Sequence, residues 1–515
     1  MTQMPADRIL INGVALTISK GRAQALAIRD GRIEAVGRTA DIRVLAGPQT
    51  EVIDLKGKAL MPAFIDAHMH LVSQGLKETG YILDLSETRS LSEALERVRE
   101  AVKERGEGVW VRGRGWDESI WPEKRYLTRA DLDRIAPKNP VALSRVDGHM
   151  LIANSQALKL VSVTADSDEF DPQQGLLRER AVNGFLQQIT PKLEEIEEAI
   201  RAGVRLAHSL GITAIHDVVR TEHIRAYQRL HRRGELHLRV RMNAPVEHLD
   251  SLIALGFSSD FGDEILKLGA IKIFTDGSIG ARNAALFEPY IDSSTGLAAT
   301  GKLNYVQSEL NALVKVAHEN GFQLMIHAIG DRAIGAAVDA LKAASVGPRD
   351  RARIEHLELP TEEQLQKAKE LGVIASMQPN FLQWSGSGGL YETRLGLERD
   401  ARIDPHRAVL DMKVPLALGS DGMPFNPLYG IHLAVNALYE QQRLSVEEAL
   451  HAYTLGAAYA GFQEDELGSL EPGKWADLIV LSEDPTSSPE NIREIQVLET
   501  YLAGERVFHY EEASE

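Results

Sequence analysis

Residues 60–70 read Leu60-Met61-Pro62-Ala63-Phe64-Ile65-Asp66-Ala67-His68-Met69-His70. A short apolar run ending on two histidines predicts a buried strand. Alternation puts both imidazoles on one face about two rises apart, so both can reach one ion. A His-x-His pair alone is weak evidence, and its weight comes from the strands downstream. Seven further runs predict strands: Thr213–Val218, Leu238–Ala244, Ala270–Asp276, Gln323–Gly330, Ala352–Leu357, Val373–Gln378 and Pro415–Asp421. Helical stretches with apolar residues at i, i+3, i+4 spacing follow most of them, such as Gln307–Glu319, Asp331–Ala344 and Thr361–Leu371. Strands alternating with helices predict a parallel sheet or a (β/α)8 barrel.

Outside this series the pattern changes. The first 60 residues read as short strands separated by Asn12-Gly13, Asp30-Gly31 and Gly57, and residues 466–515 resemble them. Residues 1–60 plus 466–515 are therefore expected to form one small β-domain built from both termini. Residues 61–465 are expected to form the (β/α)8 barrel, the domain that would carry any catalysis. About 140 residues separate the first strand from the second, far more than one βα loop needs. They hold a helix (Leu91–Glu104), a tryptophan-bearing stretch (Val109–Trp121) and an apolar segment ending in Asp147-Gly148-His149. This reads as an insertion, about 75–200, in the first βα loop. Such loops sit at the mouth where barrel chemistry occurs.

The chain has 515 residues and no cysteine, which excludes disulfide scaffolds, thiolate zinc sites, iron–sulfur clusters and cysteine nucleophiles. Any metal must be held by nitrogen and oxygen. The net charge of −17 argues against nucleic acid and anionic membranes as partners, leaving a small molecule. No basic-then-apolar leader opens the sequence and no window reaches 18 uncharged apolar residues, so a cytoplasmic protein is expected. Barrels with exposed sandwich edges commonly dimerise, and a homodimer stays open beside a monomer.

Five strand ends carry a metal-ligand type: His68 and His70, Lys272, His327, His356 and Asp421. An ammonium in an apolar strand must be paired or neutralised, and Lys272 has two readings. One is a salt bridge to Asp276 or to a carboxylate from a neighbouring strand. The other is carbamylation: the neutral amine takes up CO2 and becomes a two-oxygen bridge for two cations about 3.5–4 Å apart.

These positions resemble the amidohydrolase superfamily, whose fold is a distorted (β/α)8 barrel with a β-sandwich from both termini. The closer resemblance is to its family-3 branch, which includes N-substituted formamide deformylase. It is carried by Gly113-Arg114-Gly115-Trp116-Asp117, by Val146-Asp147-Gly148-His149-Met150 and by residues 272–278 (KIFTDGS). His327-Ala328-Ile329-Gly330-Asp331, Ile354-Glu355-His356, Gly419-Ser420-Asp421 and residues 467–481 complete it. The resemblance implies that His68, His70 and Asp421 hold one ion and His327 and His356 a second, bridged by carbamylated Lys272. Zinc is the expected metal, with Mn, Fe, Co or Ni as alternatives, and one-ion members exist. Asp421 would move the proton in hydrolysis of a small N-substituted amide, a formamide among the candidates.

Further positions carry two readings each. His149 is a donor to the substrate carbonyl or a structural loop histidine. Asp276 and Ser278 pair with Lys272, orient a metal ligand or line the pocket, or else serve an Asp-Gly turn. His216 backs the site or packs. Trp116, Trp121, Trp384, Met423 and Phe425 form an apolar substrate pocket or ordinary packing. Three rival functions remain. A superfamily deaminase carries a glutamate three residues after the strand-five histidine, and Gly330 stands there instead. A lactone or phosphoester hydrolase would use the same metal core. A retired, non-catalytic barrel would have lost ligands, yet all six positions are filled.

Overall fold

A computed structural model describes residues 4–118, 120–146, 150–163, 169–291 and 300–511. The chain divides into two compact units, one formed by residues 1–71 with 204–515 and the other by residues 72–203.

In the first unit, eight parallel strands follow one another in chain order around a nearly closed barrel. They are β1 (Phe64–Met69), β2 (Ile212–Val218), β3 (Arg239–Pro245), β4 (Leu266–Phe274), β5 (Leu324–Ala328), β6 (Arg353–His356), β7 (Ile374–Met377) and β8 (Leu416–Leu418). All eight coincide with the runs expected from the sequence; β4 merely starts earlier. Helices intervene between strands for physical reasons legible locally. Before Glu362–Leu371, Thr361 accepts from the Gln364 amide while the Gln364 side chain accepts from the Thr361 amide, a capping box. Gly372 ends that helix at φ 66°, a left-handed position that suits glycine.

Strand β1 alternates strictly. Ile65 and Ala67 join an apolar cluster with Ala214, Ile374, Ala417 and the helix Leu455–Ala460. Asp66 and His68 point the other way, into the barrel. Asp66 seals the seam between β1 and β8. Its carboxylate accepts from the Ser420 amide (3.0 Å) and from Ser420 Oγ (2.5 Å), and the Asp421 amide donates to His68 O (2.9 Å). Gly419 permits this approach, since a Cβ there would lie 2.4 Å from the His68 nitrogen. Burial pushes the Asp66 carboxyl up to about 7 despite the three hydrogen bonds that oppose it.

Two further sheets join the termini. A four-stranded sheet orders Arg32–Gly37, Ala25–Arg29, Ala6–Ile11 and Ala46–Asp54. A six-stranded sheet orders Glu505–His509, Val497–Leu502, Leu478–Leu481, Ala59–Pro62, Val14–Leu16 and Arg22–Ala23. Leu10, Leu26 and Ile28 of the first meet Leu60, Leu478, Val480 and Tyr501 of the second in one buried core. Strand Ala59–Pro62 pairs antiparallel with Leu478–Leu481 and runs on into β1.

Arg239 and Asp477 bind this sandwich to the barrel. The guanidinium donates to both carboxylate oxygens (2.8 and 3.0 Å), both side chains are buried, and Asp477 also accepts from the Ala503 amide. Asp477→Ala leaves the Arg239 charge buried without its partner. It should cost about 3–5 kcal/mol, read as a lower urea midpoint. An unchanged midpoint would show the pair to be dispensable.

The second unit has its own six-stranded sheet: Phe170–Asp171, Leu176–Arg178, Met150–Ala153, Val141–Arg145, Val111–Trp116 and Ile82–Asp84. One core cluster holds Leu95, Val98, Trp116, Trp121, Leu132, Leu143 and Ile152. Among the described residues, no helix is long and apolar enough to cross a membrane.

Candidate active site

The C-terminal ends of β1, β5, β6 and β8 bring four imidazoles and a carboxylate together. The rings of His70, His68, His356 and His327 stand in an arc with successive centroid spacings of 5.7, 4.8 and 4.5 Å. One donor atom each of His68, His356 and Asp421 lies within 4.8 Å of the others. Two donors on one ion, at about 2.0–2.2 Å each, can be at most some 4.4 Å apart, so these atoms stand near the spacing that a metal centre needs. His70 Nε2 sits 3.2 Å from Asp421 Oδ1.

The rings are oriented from behind. His68 Nδ1 lies 2.5 Å from Glu355 Oε2, and His356 Nδ1 lies 2.7 Å from Gln378 Oε1. Both acceptors require an N–H at Nδ1 and leave Nε2 with its lone pair, the arrangement a metal-binding histidine needs. His327 donates instead from Nε2 to Gly277 O (3.0 Å), which leaves Nδ1 as its free donor atom. Burial, and next to it the charge of Lys272, pushes His68 well below the ordinary imidazole range. Burial and the neighbouring His68 do the same to His356, and burial and His356 to His327. All three are therefore neutral imidazoles at pH 7. Burial alone would raise the Asp421 carboxyl, but the hydrogen bond from His70 and, beyond it, the positive charge of Lys272 hold it below the usual range. An anionic carboxylate amid neutral imidazoles fits a divalent cation.

Two site residues adopt a left-handed backbone. His356 has φ 73° and Asp421 φ 53°, left-handed values that cost a non-glycine residue about 1–3 kcal/mol each. At His356 the strain has a visible consequence. Adjacent residues of a strand point to opposite faces, yet Glu355 and His356 both reach His68. The left-handed turn brings the His356 ring back to the face Glu355 already occupies.

Lys272 is 1 % exposed on β4. Its Nζ lies 3.3 Å from His68 Nε2 and over the Phe274 ring at 4.8 Å. Among the described residues no carboxylate stands within ion-pair distance, so the expected salt bridge to Asp276 or a neighbouring acid is absent. Burial lowers the amine to about 8, against the attraction of Glu355 and Asp421.

Two substrate-pocket expectations are corrected. Asp276 accepts from the amides of Ala285 (2.9 Å), Ile329 (3.1 Å) and Gly330 (2.9 Å), and its Oδ1 lies 3.5 Å from His327 Nε2. It is 3 % exposed, holds the loops after β4 and β5 together, and backs His327 rather than meeting substrate. Burial pushes its carboxyl up to about 7, against the pull of those amides. Trp116 is wholly buried in the core of the inserted unit and donates from its indole to Leu143 O (3.0 Å). Ser278 is exposed, with Oγ accepting from the Ala281 amide (3.3 Å). His149 lies outside the described residues. Among the apolar candidates, Trp121 packs against Trp116 and Phe425 is buried, whereas Met423 is 39 % exposed. Phe381 stacks on His356 with its ring 6.0 Å away and 9° from parallel, and Trp384 packs on Phe381 at 4.9 Å. Phe274 is 42 % exposed, 5.2 Å from the His327 ring.

Glu355, Gln378, Arg353 and Asp66 are site residues that sequence patterns did not single out. For Arg353 and Glu355 a signal existed: two opposite charges at i and i+2 on a buried strand share a face and must pair.

A (β/α)8 barrel presenting neutral imidazoles and a carboxylate from its strand ends defines a class, the metal-dependent hydrolases. The sequence model of the amidohydrolase family matches residues 51–508, and the chain belongs to that family. It is 31 % identical to N-substituted formamide deformylase of Arthrobacter pascens, over 99 % of each chain. Protein LONG AFTER FAR-RED 3 of Arabidopsis thaliana is also 31 % identical, over 98 % of this chain and 92 % of that one. The crystal structure of an uncharacterized metal-dependent hydrolase from Pyrococcus furiosus superposes with a TM-score of 0.80 at 33 % identity, covering 93 % of this chain and 99 % of that one.

Proposed function

We propose that the protein hydrolyses the C–N bond of a small N-substituted amide, a formamide being the first candidate. The observation that carries this is a half-buried carboxylate, Asp421, set beside the neutral imidazoles of His68 and His356 in a chain that is similar over its whole length to a formamide deformylase. His68, His70 and Asp421 would hold one zinc ion and His327 and His356 a second, a reading supported by the unbroken arc in which the four rings stand. Lys272 would bridge them as a carbamate: its neutral amine adds to the carbon of CO2 and releases one proton. Bound there, zinc supplies Lewis acidity, which makes water nucleophilic near neutral pH and polarises a carbonyl.

The chain's own groups handle the protons. Asp421 accepts one from the attacking water and returns it to the departing nitrogen, so that a neutral amine leaves. His70 Nε2 lies 3.2 Å from Asp421 Oδ1, so the two donor atoms of that half-site already converge. An amide needs this proton delivery more than an ester does, because an amide anion is a far poorer leaving group than an alkoxide. Phe274, exposed beside His327, and the partly exposed Trp384 offer apolar surface for the nitrogen substituent.

The deaminase alternative meets a steric obstacle. A Cβ at Gly330 would lie 2.0 Å from Ala285 O, so this backbone admits no glutamate there. The test is a panel of N-formyl and N-acyl amines, lactones and phosphoesters, assayed with added Zn or Mn. N-substituted amides should give the highest kcat/KM, read as released amine. Faster turnover of a lactone or phosphoester than of every amide would overturn the proposal.

A further inference from the structure

The polar interior beneath the imidazole arc is a connected network that reaches His68. Strand β6 carries Arg353 and Glu355 on its inward face, 1 % and 0 % exposed. Buried charges of this kind persist only when paired and fully hydrogen-bonded. Glu355 Oε1 accepts from Arg353 Nε (2.8 Å), and Oε2 accepts from Arg353 Nη2 (3.0 Å) and Ser376 Oγ (2.7 Å). Arg353 is held in turn, donating from Nη1 to His216 Nδ1 (2.7 Å) and from Nη2 to Ala67 O (2.5 Å) and Ser376 Oγ (2.9 Å). Burial and the charge of Arg353 keep His216 neutral, so its Nδ1 can accept. His216, ambiguous in the sequence, thereby gains a definite role, orienting Arg353 from β2.

Within β6 the ion pair would be complete without His68. The 2.5 Å contact from Oε2 to His68 Nδ1 is an additional bond, and it crosses from β6 to β1. A carboxylate behind a histidine fixes the tautomer and makes the opposite nitrogen more basic. His68 Nε2 faces Lys272 Nζ and, at 3.9 Å, Asp421 Oδ1.

We propose that Glu355, aligned by Arg353 and His216, is the positioning residue of the metal centre, locking His68 as the Nδ1–H tautomer with Nε2 aimed at the ion. This rests on the metal-hydrolase reading above. It assigns the barrel floor a role in metal affinity beyond packing. Cross-strand coupling also explains why His356, next along β6, must be turned by a left-handed backbone to share the site with Glu355.

The test strips the purified full-length chain of metal and titrates zinc back against a chromophoric chelator. Glu355→Gln keeps the size of the side chain and loses its charge, and should bind zinc about 10–100-fold more weakly. Loaded with Co2+, the same variant should show a shifted visible spectrum, a signature that a purely structural role would not move. Glu355→Gln leaves Arg353 buried without its partner, a change that can by itself prevent folding. The Arg353→Met/Glu355→Leu double variant removes both charges, and replacement of a buried ion pair by apolar residues is generally tolerated. It should show the same loss of affinity. Wild-type zinc affinity and an unchanged Co2+ spectrum in either folded variant would overturn the inference. Failure of the wild-type chain to bind any divalent metal would instead overturn the reading beneath it.

Discussion

Asp421→Asn should leave the barrel folded and lower kcat by about 10²–10⁴-fold, the usual contribution of a positioned acid–base group. The substitution suits the site in every respect but one. Asparagine tolerates a left-handed backbone better than most residues, so φ 53° at this position adds little strain. The side chain keeps its shape, and its amide oxygen can still accept the hydrogen bond that His70 gives Asp421. The backbone amide of residue 421 still donates to His68 O, so the seam between β8 and β1 is preserved. What is lost is the negative charge and the capacity to take up a proton. Metal content must be measured on the same sample, because the lost charge also weakens an ion's hold. A variant that retains metal and loses kcat with little change in KM identifies proton transfer as the missing step. Near-normal turnover would remove Asp421 from the chemistry.

The barrel and the polar residues at its strand ends were legible because both depend on local pattern. Each strand is a short apolar run stopped by a polar residue, and the polar residue is the one placed at the mouth. The interior was legible only in part. Alternation correctly turns Asp66 and His68 inward on β1. It fails at Glu355-His356, where neighbouring side chains share a face because of one left-handed residue that nothing in residues 353–356 announces. Asp276 sits in a motif with Lys272 and invites a pocket role, but its three amide donors come from residues 285, 329 and 330, remote in sequence. Trp116 follows a glycine-rich run inside an insertion. That the insertion builds its own sheet and core, and so consumes the indole, depends on contacts with residues 85–176 that no local pattern encodes. The seal of β1 on β8 by Asp66 was invisible for the same reason: it joins residues 66 and 420.

Lys272→Met should push stability and activity in opposite directions. The ammonium is buried, has no carboxylate within ion-pair distance among the described residues, and lies against a histidine nitrogen and the Phe274 ring. Burying charge without a partner is unfavourable, and an apolar side chain of similar length removes that penalty. The metal-free chain should therefore gain about 1–4 kcal/mol, the range seen when buried ionic groups are replaced by apolar ones. Activity should fall by about 10³-fold or more. A ligand bridging two ions shares several kcal/mol of transition-state stabilisation, and each 1.36 kcal/mol is worth a factor of about ten. Lys272→Ala separates the two roles that a lysine could have here. It opens space where the carbamate would lie, and short carboxylates such as acetate or propionate present the same pair of oxygens. They should restore part of the activity to Lys272→Ala and none to Lys272→Met, whose side chain fills that space. If Lys272→Met is as active as the wild type, Lys272 bears no bridge. If Lys272→Ala is inactive and no carboxylate restores it, the amine itself, hydrogen-bonded to His68, is the functional form.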